Sequence, residues 1–457
     1  MSESKGVYIP RIILANEKDE AMIPPSVIIA CALQQKGYRI KPFVVGIDEY
    51  LVALLHSLLG EPVTVLDTFL VDSPARLREL FVATADASSL NVLFASLGEP
   101  QDENIAIDQN LLTIAEQLDC PVIPIFISKG SSAFTARRVV RFSRDLPKSA
   151  YSLINAIAFT SVPNPREYQL LELSMGRDLP WTALGYVPSF ILKERPKLTS
   201  FLDQAYGLQS LFPIKTAAAR LAAMERQIDW GVIIAHAKSC PQFNVDVQKF
   251  ATIGRPRRVG VIRHPALALG GDNNEKLLGA CGFDVVSLDF KDKMAYNDFD
   301  FVYVPHGIGY LFLKDIADNV SLVKALAASV FKGKLIVEGG SSPIFGKAFR
   351  FPSESAMSGL SFFSYEGHYE DYSNICYKVR IESVPSEGRP GRSFRGYCPS
   401  WYGLNIRDFD GVPLWMIRQE GAQAPTEDCW KTRGALILSV RAEFWSNPEA
   451  TVELLNS

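Results

Sequence analysis

The segment KLIVEGGSSPIFG, Lys334 to Gly346, reads as a buried strand that runs into a paired-glycine turn and then toward a helix. Strand, sharp turn and helix in that order is how many acyl-transfer enzymes mount a nucleophile. The sharpest point falls on Gly339, flanked by Glu338 and Gly340, and glycine carries neither thiol nor hydroxyl. A nucleophile shifted to Ser341 or Ser342 and served by His306 is one alternative; the other is that the two serines cap the following helix, which their position favours.

Working outward from this turn, the chain alternates short apolar runs with helical periods. RIILA at Arg11 to Ala15 predicts a strand, PPSVIIACALQQKG a helix with Pro24 and Pro25 in its first turn and Gly37 at its stop, and IKPFVVG a second strand. NVLFASLG, NLLTIAEQLD and CPVIPIFIS repeat the unit, as do LINAIAFTSV, PREYQLLELSMG and WTALGYVP. The irregular CPQFNVDVQKFATIGRPRR separates these from a second series that starts with VGVIR at Val259 and includes FDVVSLD, FDFVYVPHG and KLIVEGG. From about Ser361 the texture turns aromatic and β-type, rich in Gly, Pro and Ser. The fold class expected is α/β: a domain over 1–242, a linker over 243–257 and a domain over 258–457, each with a mostly parallel sheet covered by helices, the second with an antiparallel addition.

Composition excludes several function classes. Of 457 residues, 47% are apolar and 21% charged, and the net charge of −3 comes without a basic or acidic block, so neither nucleic acid nor an anionic membrane is an expected partner. The N-terminus lacks a basic region followed by an apolar run and a small-residue cleavage site, and no stretch reaches about 18 uninterrupted apolar residues, which leads to the expectation of a cytoplasmic protein. Seven scattered cysteines, never spaced C-x-x-C, read as reduced thiols that mostly fill the core.

The first strand-to-helix junction, ANEKDEAMIPPS, is where a nucleotide-binding fold cradles phosphate on glycine N–H groups beside a lysine. Here it contains no glycine, carries Glu17, Asp19 and Glu20, and spends two positions on prolines that donate nothing, which argues against ATP at this loop. Asp48, Glu49 and Glu99 are further acids at strand ends. His56 and His236 fall in apolar helical stretches, His264 and His306 follow predicted strand ends where open α/β sheets place ligands, and His368 reads as a loop residue. No metal-ligand spacing is present, since GHYE offers one histidine without a second at helical distance.

These features together resemble the cobyrinic acid a,c-diamide synthase family, whose first domain is similar to dethiobiotin synthetase and whose second is a class I glutamine amidotransferase domain. QQKGYRIKPFVVGIDEY is similar to the stretch after that family's P-loop helix, LGYVPSFILKERP to its LG-x-L-P turn, and ERQIDWGVIIAHAKS to the helix ending its first domain. RGYCPSW lies where the family has RGHEFHYS, and VRAEFWSNPEA where it has HLHFASNPE. The resemblance covers nearly the whole chain and implies a chemistry in which a cysteine takes the acyl group of glutamine as a thioester, a histidine moves protons, and ammonia travels to a corrin carboxylate activated by ATP.

Laid on this chain, the family's A-E-C-G-G corresponds to V-E-G-G-S, so Gly339 stands at the nucleophile. Arg441 and Glu443 replace the two histidines of HLHF, Tyr397 and Cys398 stand where His and Glu would be, and the phosphate loop lacks its glycines and Lys-Thr pair. Arginine stays protonated and cannot act as a general base. The resemblance therefore implies a degenerate relative with unknown catalytic residues. It would be a corrinoid-, tetrapyrrole- or polycarboxylate-binding protein or an accessory subunit with a protein partner or as a homodimer; the alternative is a repurposed amide ligase without its own glutaminase. His306, Glu338, Gly339, Gly340 and Arg441 are the expected ligand-binding set, with Arg441 available to a carboxylate unless it pairs with Glu338 or Glu443.

Overall fold

The protein is described by a computed structural model covering residues 6–101, 104–176, 179–243, 257–291, 299–332, 334–352, 356–384, 392–407, 409–419, 424–432 and 435–456. Eight strands form the first sheet: β1 (Arg11–Glu17), β2 (Ile40–Val45), β3 (Thr64–Leu66), β4 (Leu90–Gln101), β5 (Asn104–Ile107), β6 (Val122–Ile127), β7 (Ala156–Val162) and β8 (Thr182–Pro188). Their order is β3-β2-β4-β1-β6-β7-β8, all parallel, with β5 folded back antiparallel on β4.

All seven residues of the central β1 are buried, as a parallel strand covered on both faces requires. Helix α1 (Pro25–Gln35) starts on proline without a side-chain cap, whereas α2 (Glu49–Leu59) is capped by Asp48, which accepts from Leu51 N at 2.9 Å, and closes on the left-handed Gly60.

The second sheet has ten strands. β9 (Arg258–Arg263), β10 (Asp284–Asp289), β11 (Phe301–Val304) and β12 (Leu335–Glu338) run parallel in the order β10-β9-β11-β12 and continue into the parallel strand Ala435–Leu438. Beyond it the pairing is antiparallel through Thr426–Thr432, Val412–Gln419, Cys376–Ser383, Ser393–Pro399 and the edge strand Arg441–Glu443. The α/β class and the antiparallel addition expected from the sequence are therefore both present. Most of the proposed linker, residues 244–256, lies outside the described residues; Phe243, its first position, pairs with Val7 and packs on the first unit.

Two local expectations are corrected. His368 lies in the strand Glu366–Tyr369 of a separate four-stranded sheet, not in a loop, because its neighbours Gly367 and Tyr369 alternate inward while it faces out. Ser341 and Ser342 do not cap the turn after β12. Their hydroxyls donate to the carbonyls of Pro305 at 2.6 Å and Leu438 at 2.7 Å, tying the turn to the ends of the two neighbouring strands. The cysteines are all free thiols, five of them buried. Among the described residues no helix is long and apolar enough to cross a membrane.

Candidate functional site

β12 delivers Glu338 in an extended conformation and then Gly339 at φ +60°, so the chain makes the left-handed step of a nucleophile elbow as it enters the 3-10 helix Gly339–Phe345. A Cβ added to Gly339 would lie 2.2 Å from His306 Nδ1 and 3.1 Å from the Tyr402 hydroxyl. The elbow geometry persists, but the space a cysteine would need is occupied. Ser341 and Ser342 are no substitute, since both hydroxyls are spent on carbonyls.

His306 fills that space in a fixed orientation. Gly340 N donates to its Nδ1 at 2.9 Å, so the ring proton sits on Nε2, which faces Glu49 Oε1 at 2.5 Å. The second oxygen of Glu49 accepts from Trp401 Nε1 at 3.0 Å. Tyr397, Trp401 and Tyr402 surround the imidazole, and both His306 and Glu49 are fully buried. A ring with both nitrogens engaged and walled by aromatics has no free position from which to serve a substrate.

The charged positions form a second buried knot. Arg441 meets Glu338 Oε1 at 3.4 Å and Glu443 Oε2 at 3.9 Å, and its Nη2 donates to the Gly270 carbonyl at 3.0 Å. Gly270 makes room for it, because a Cβ there would stand 2.5 Å from Arg441 Nε. Glu338 also accepts from the Tyr303 hydroxyl, from Asn274 at 3.2 Å and from Ala442 N at 3.1 Å. Burial alone would depress the guanidinium, but the charges of Glu338 and Glu443 outweigh it and hold Arg441 above its ordinary value. Burial pushes Glu443 up to about 7 against the pull of Arg441.

His306, Glu338, Gly339, Gly340 and Arg441 thus come together, as a packed network in which Arg441 is committed to Glu338. Sequence reasoning missed the partners that complete it: Asn273, Asn274, Tyr303 and Gly270. The pair Asn273-Asn274 opens a helix and reads only as helix-start chemistry; nothing local marks either residue as a strut between strands. Asn273 bonds Glu443 Oε2 at 2.9 Å and exchanges two hydrogen bonds with the backbone of Val65 in the first unit, at 2.9 and 2.8 Å. Lys41 reaches Asp272 at 3.4 Å and Thr64 Oγ1 donates to the same carboxylate at 2.7 Å. The turn at Gly339 and the Arg441 knot are therefore both tied across the boundary between the two sheets.

Open space lies elsewhere. A cleft of about 970 Å³ sits at the carboxyl ends of β1, β4, β6 and β7, with Ser373, Asn374 and Ile375 of the second unit on its far wall. The ANEKDEAMIPPS junction forms its rim. Of the strand-end acids, Asp48 and Glu99 line it, while Glu49 turns away to His306. Glu17 is held below its usual value: burial raises it, but hydrogen bonds from Arg138, Lys129 and Ile127 N prevail. Among the described residues no group of three His, Cys, Asp or Glu side chains is arranged to hold a metal ion.

No family model matches the chain. Seven relatives named cobyrinate a,c-diamide synthase do, at 22–25% identity. That of Listeria monocytogenes serotype 4b is 23% identical over 335 residues, 71% of each chain. That of Salmonella typhimurium is 25% identical over 313 residues, 66% of each. Among solved structures, one described as a glutamine amidotransferase is 18% identical with a TM-score of 0.31, covering 44% of this chain and 99% of that one. The structure of PurLQS from Thermotoga maritima gives 13% identity and a TM-score of 0.32, covering 44% of this chain and 99% of that one.

Proposed function

Starting from a chain related to the cobyrinate a,c-diamide synthases, we propose that this protein is a pseudoenzyme of that family. In this reading it does not split glutamine, its old nucleophile elbow is a structural clamp, and it acts by binding a ligand in the cleft between its two units. The observation that carries the reading is Gly339: the residue keeps the left-handed elbow conformation, yet His306 Nδ1 lies 2.2 Å from where any side-chain carbon would begin. Glutaminase chemistry needs a nucleophile and a base that can exchange a proton. Here the first is missing, and Arg441 and Glu443 stand where the resemblance places the histidines.

The phosphate side points the same way. The junction that rims the cleft offers carboxylates and prolines in place of a glycine-rich anion cradle, and Lys18 is drawn to Glu99 at 2.6 Å. A triphosphate would meet like charge there. Those carboxylates would also repel a polycarboxylate ligand.

The test is to incubate the full chain with ATP, magnesium, free ammonium and cobyrinic acid, following phosphate release and product mass. The reading expects neither phosphate above the protein-free rate nor an amide product. Amidation at any rate that scales with protein concentration would return the chain to the enzyme class.

A further inference from the structure

The helix Gly207–Ala223 is apolar on more than one side. Leu211, Ile214, Ala218 and Leu221 are buried, and the helix packs on α1. On an ordinary surface helix the outer face would be charged or polar. Here only two of the 17 residues are charged, Lys215 and Arg220. The large exposed side chains are instead Leu208 at 80% and Phe212 at 67%, with Tyr206 at 61% just before the first turn. A helix that is hydrophobic all round is normally covered all round.

The outer stripe is also graded in size. Leu208, Phe212, Ala219 and Ala223 follow one another at steps of four, seven and four residues, so they share one face, and all four are exposed. The bulky pair occupies the first half of the helix and the small pair the second. Lys215 and Arg220 fall on opposite sides of the stripe, as charges do at the rim of an interface. Two such helices laid antiparallel, with a twofold axis between Lys215 and Thr216, bring Leu208 of one copy onto Ala223 of the other and Phe212 onto Ala219. Each large side chain then meets a small one, which lets the two helices approach closely.

The exposed area is of the size a dimer needs. At about 150–250 Å² for a large side chain, the exposures of Tyr206, Leu208 and Phe212 leave on the order of 400 Å² on one copy, within the range that marks an interaction site. Two copies bury twice that from these residues alone, and the alanines and the aliphatic stems of Lys215 and Arg220 bring the total to roughly 1,000 Å², about what a specific interface requires.

We propose that this face is the interface of a homodimer in which the helices Gly207–Ala223 of two copies pair antiparallel about a twofold axis. With no acid in the helix and one cation on each side of the stripe, the face offers little to a charged partner, whereas its own two halves fit each other. The helix carries none of the residues at the Gly339 turn, so the pairing is independent of glutamine chemistry.

Sedimentation equilibrium of the full chain from about 1 to 100 μM tests this, and should show a monomer converting to a species of twice the mass. Because the stripe holds no acid, added salt should leave the dimer unchanged or tighter. Phe212→Glu should give monomer throughout, with the far-UV spectrum of the parent, since the side chain is exposed in a single copy. Phe212→Ala and Ala219→Phe should each weaken the dimer at least about tenfold, the first by lost area and the second by crowding Phe212 of the other copy. Combined in one chain they exchange large for small at both contacts and should recover the parent affinity to within about threefold.

A chain that stays monomeric across this range, a dimer that survives Phe212→Glu, or a combined variant no tighter than either single one would each overturn the proposal. So would a monomer that binds phosphatidylcholine vesicles through Leu208 and Phe212, which would assign the face to a lipid surface.

Discussion

His306 Nε2 lies 2.5 Å from Glu49 Oε1, joining the residue beside the elbow of the second sheet to the first residue of α2 in the first unit. A buried bond between the two halves of the molecule therefore occupies the space beside the elbow.

Glu49→Ala leaves the His306 and Trp401 N–H groups without an acceptor in a dry site. The expected loss in unfolding free energy is about 2–6 kcal/mol, since each of the two stranded donors costs about 1–3 kcal/mol. A double-mutant cycle with His306→Ala, read by urea denaturation, should give a coupling energy above about 0.5 kcal/mol. Strict additivity would mean that the pair does not join the units.

Gly339 is expected to resist restoration of the nucleophile. Gly339→Ala places a Cβ in the left-handed region and against His306, and should cost about 1–3 kcal/mol. Gly339→Cys should be destabilised similarly and still release no glutamate from glutamine. A stable, active Gly339→Cys would show that the imidazole yields.

Arg441 neutralises two buried carboxylates. Arg441→Met strands both Glu338 and Glu443 and should cost about 3–5 kcal/mol at neutral pH. The deficit should shrink as the pH falls, because Glu443, already pushed up to about 7 by burial, takes a proton more readily than a solvated glutamate. Adding Glu338→Gln and Glu443→Gln should restore much of the loss. Denaturation midpoints across the pH range measure this, and a deficit independent of pH would contradict it.

Asp428 gives a second pH signature. Burial pushes its carboxyl from 3.8 up to about 6; one oxygen accepts from Ser439 N at 2.8 Å and the other has no partner. The folded state binds the proton more tightly than the unfolded chain, so this group costs nothing below its unfolded pKa and lowers stability progressively as the pH rises through about 6. Asp428→Asn should leave stability at low pH nearly unchanged and raise it by about 1–3 kcal/mol above neutrality. Parallel pH profiles of the two proteins would refute it.

Much of this was legible in the sequence. Alternating apolar runs and helical periods gave the parallel strands of the first sheet and of the first half of the mixed second sheet, since buried strands and helix faces leave different periodicities. The glycine at the elbow and the acids of ANEKDEAMIPPS stated directly which groups were absent. What the chain did not reveal were contacts of long sequence separation: Glu49 with His306, Asn273 with Glu443, and Arg441 with the Gly270 carbonyl. Each is a polar residue whose partner is selected only when two sheets dock, so no local pattern carries it. The ion pair of Arg441 with Glu338 was one of the two readings the sequence offered, whereas the bond from His306 to Glu49 needed the docked sheets to become visible.

The central claim is that the inherited elbow no longer hydrolyses glutamine, and the most direct measurement is glutamate release from glutamine by the purified full chain, with and without ATP, magnesium and cobyrinic acid. The account predicts release indistinguishable from the protein-free control under every condition. Glutamate formed in proportion to the protein, and lost when one of its seven cysteines is changed to serine, would contradict it.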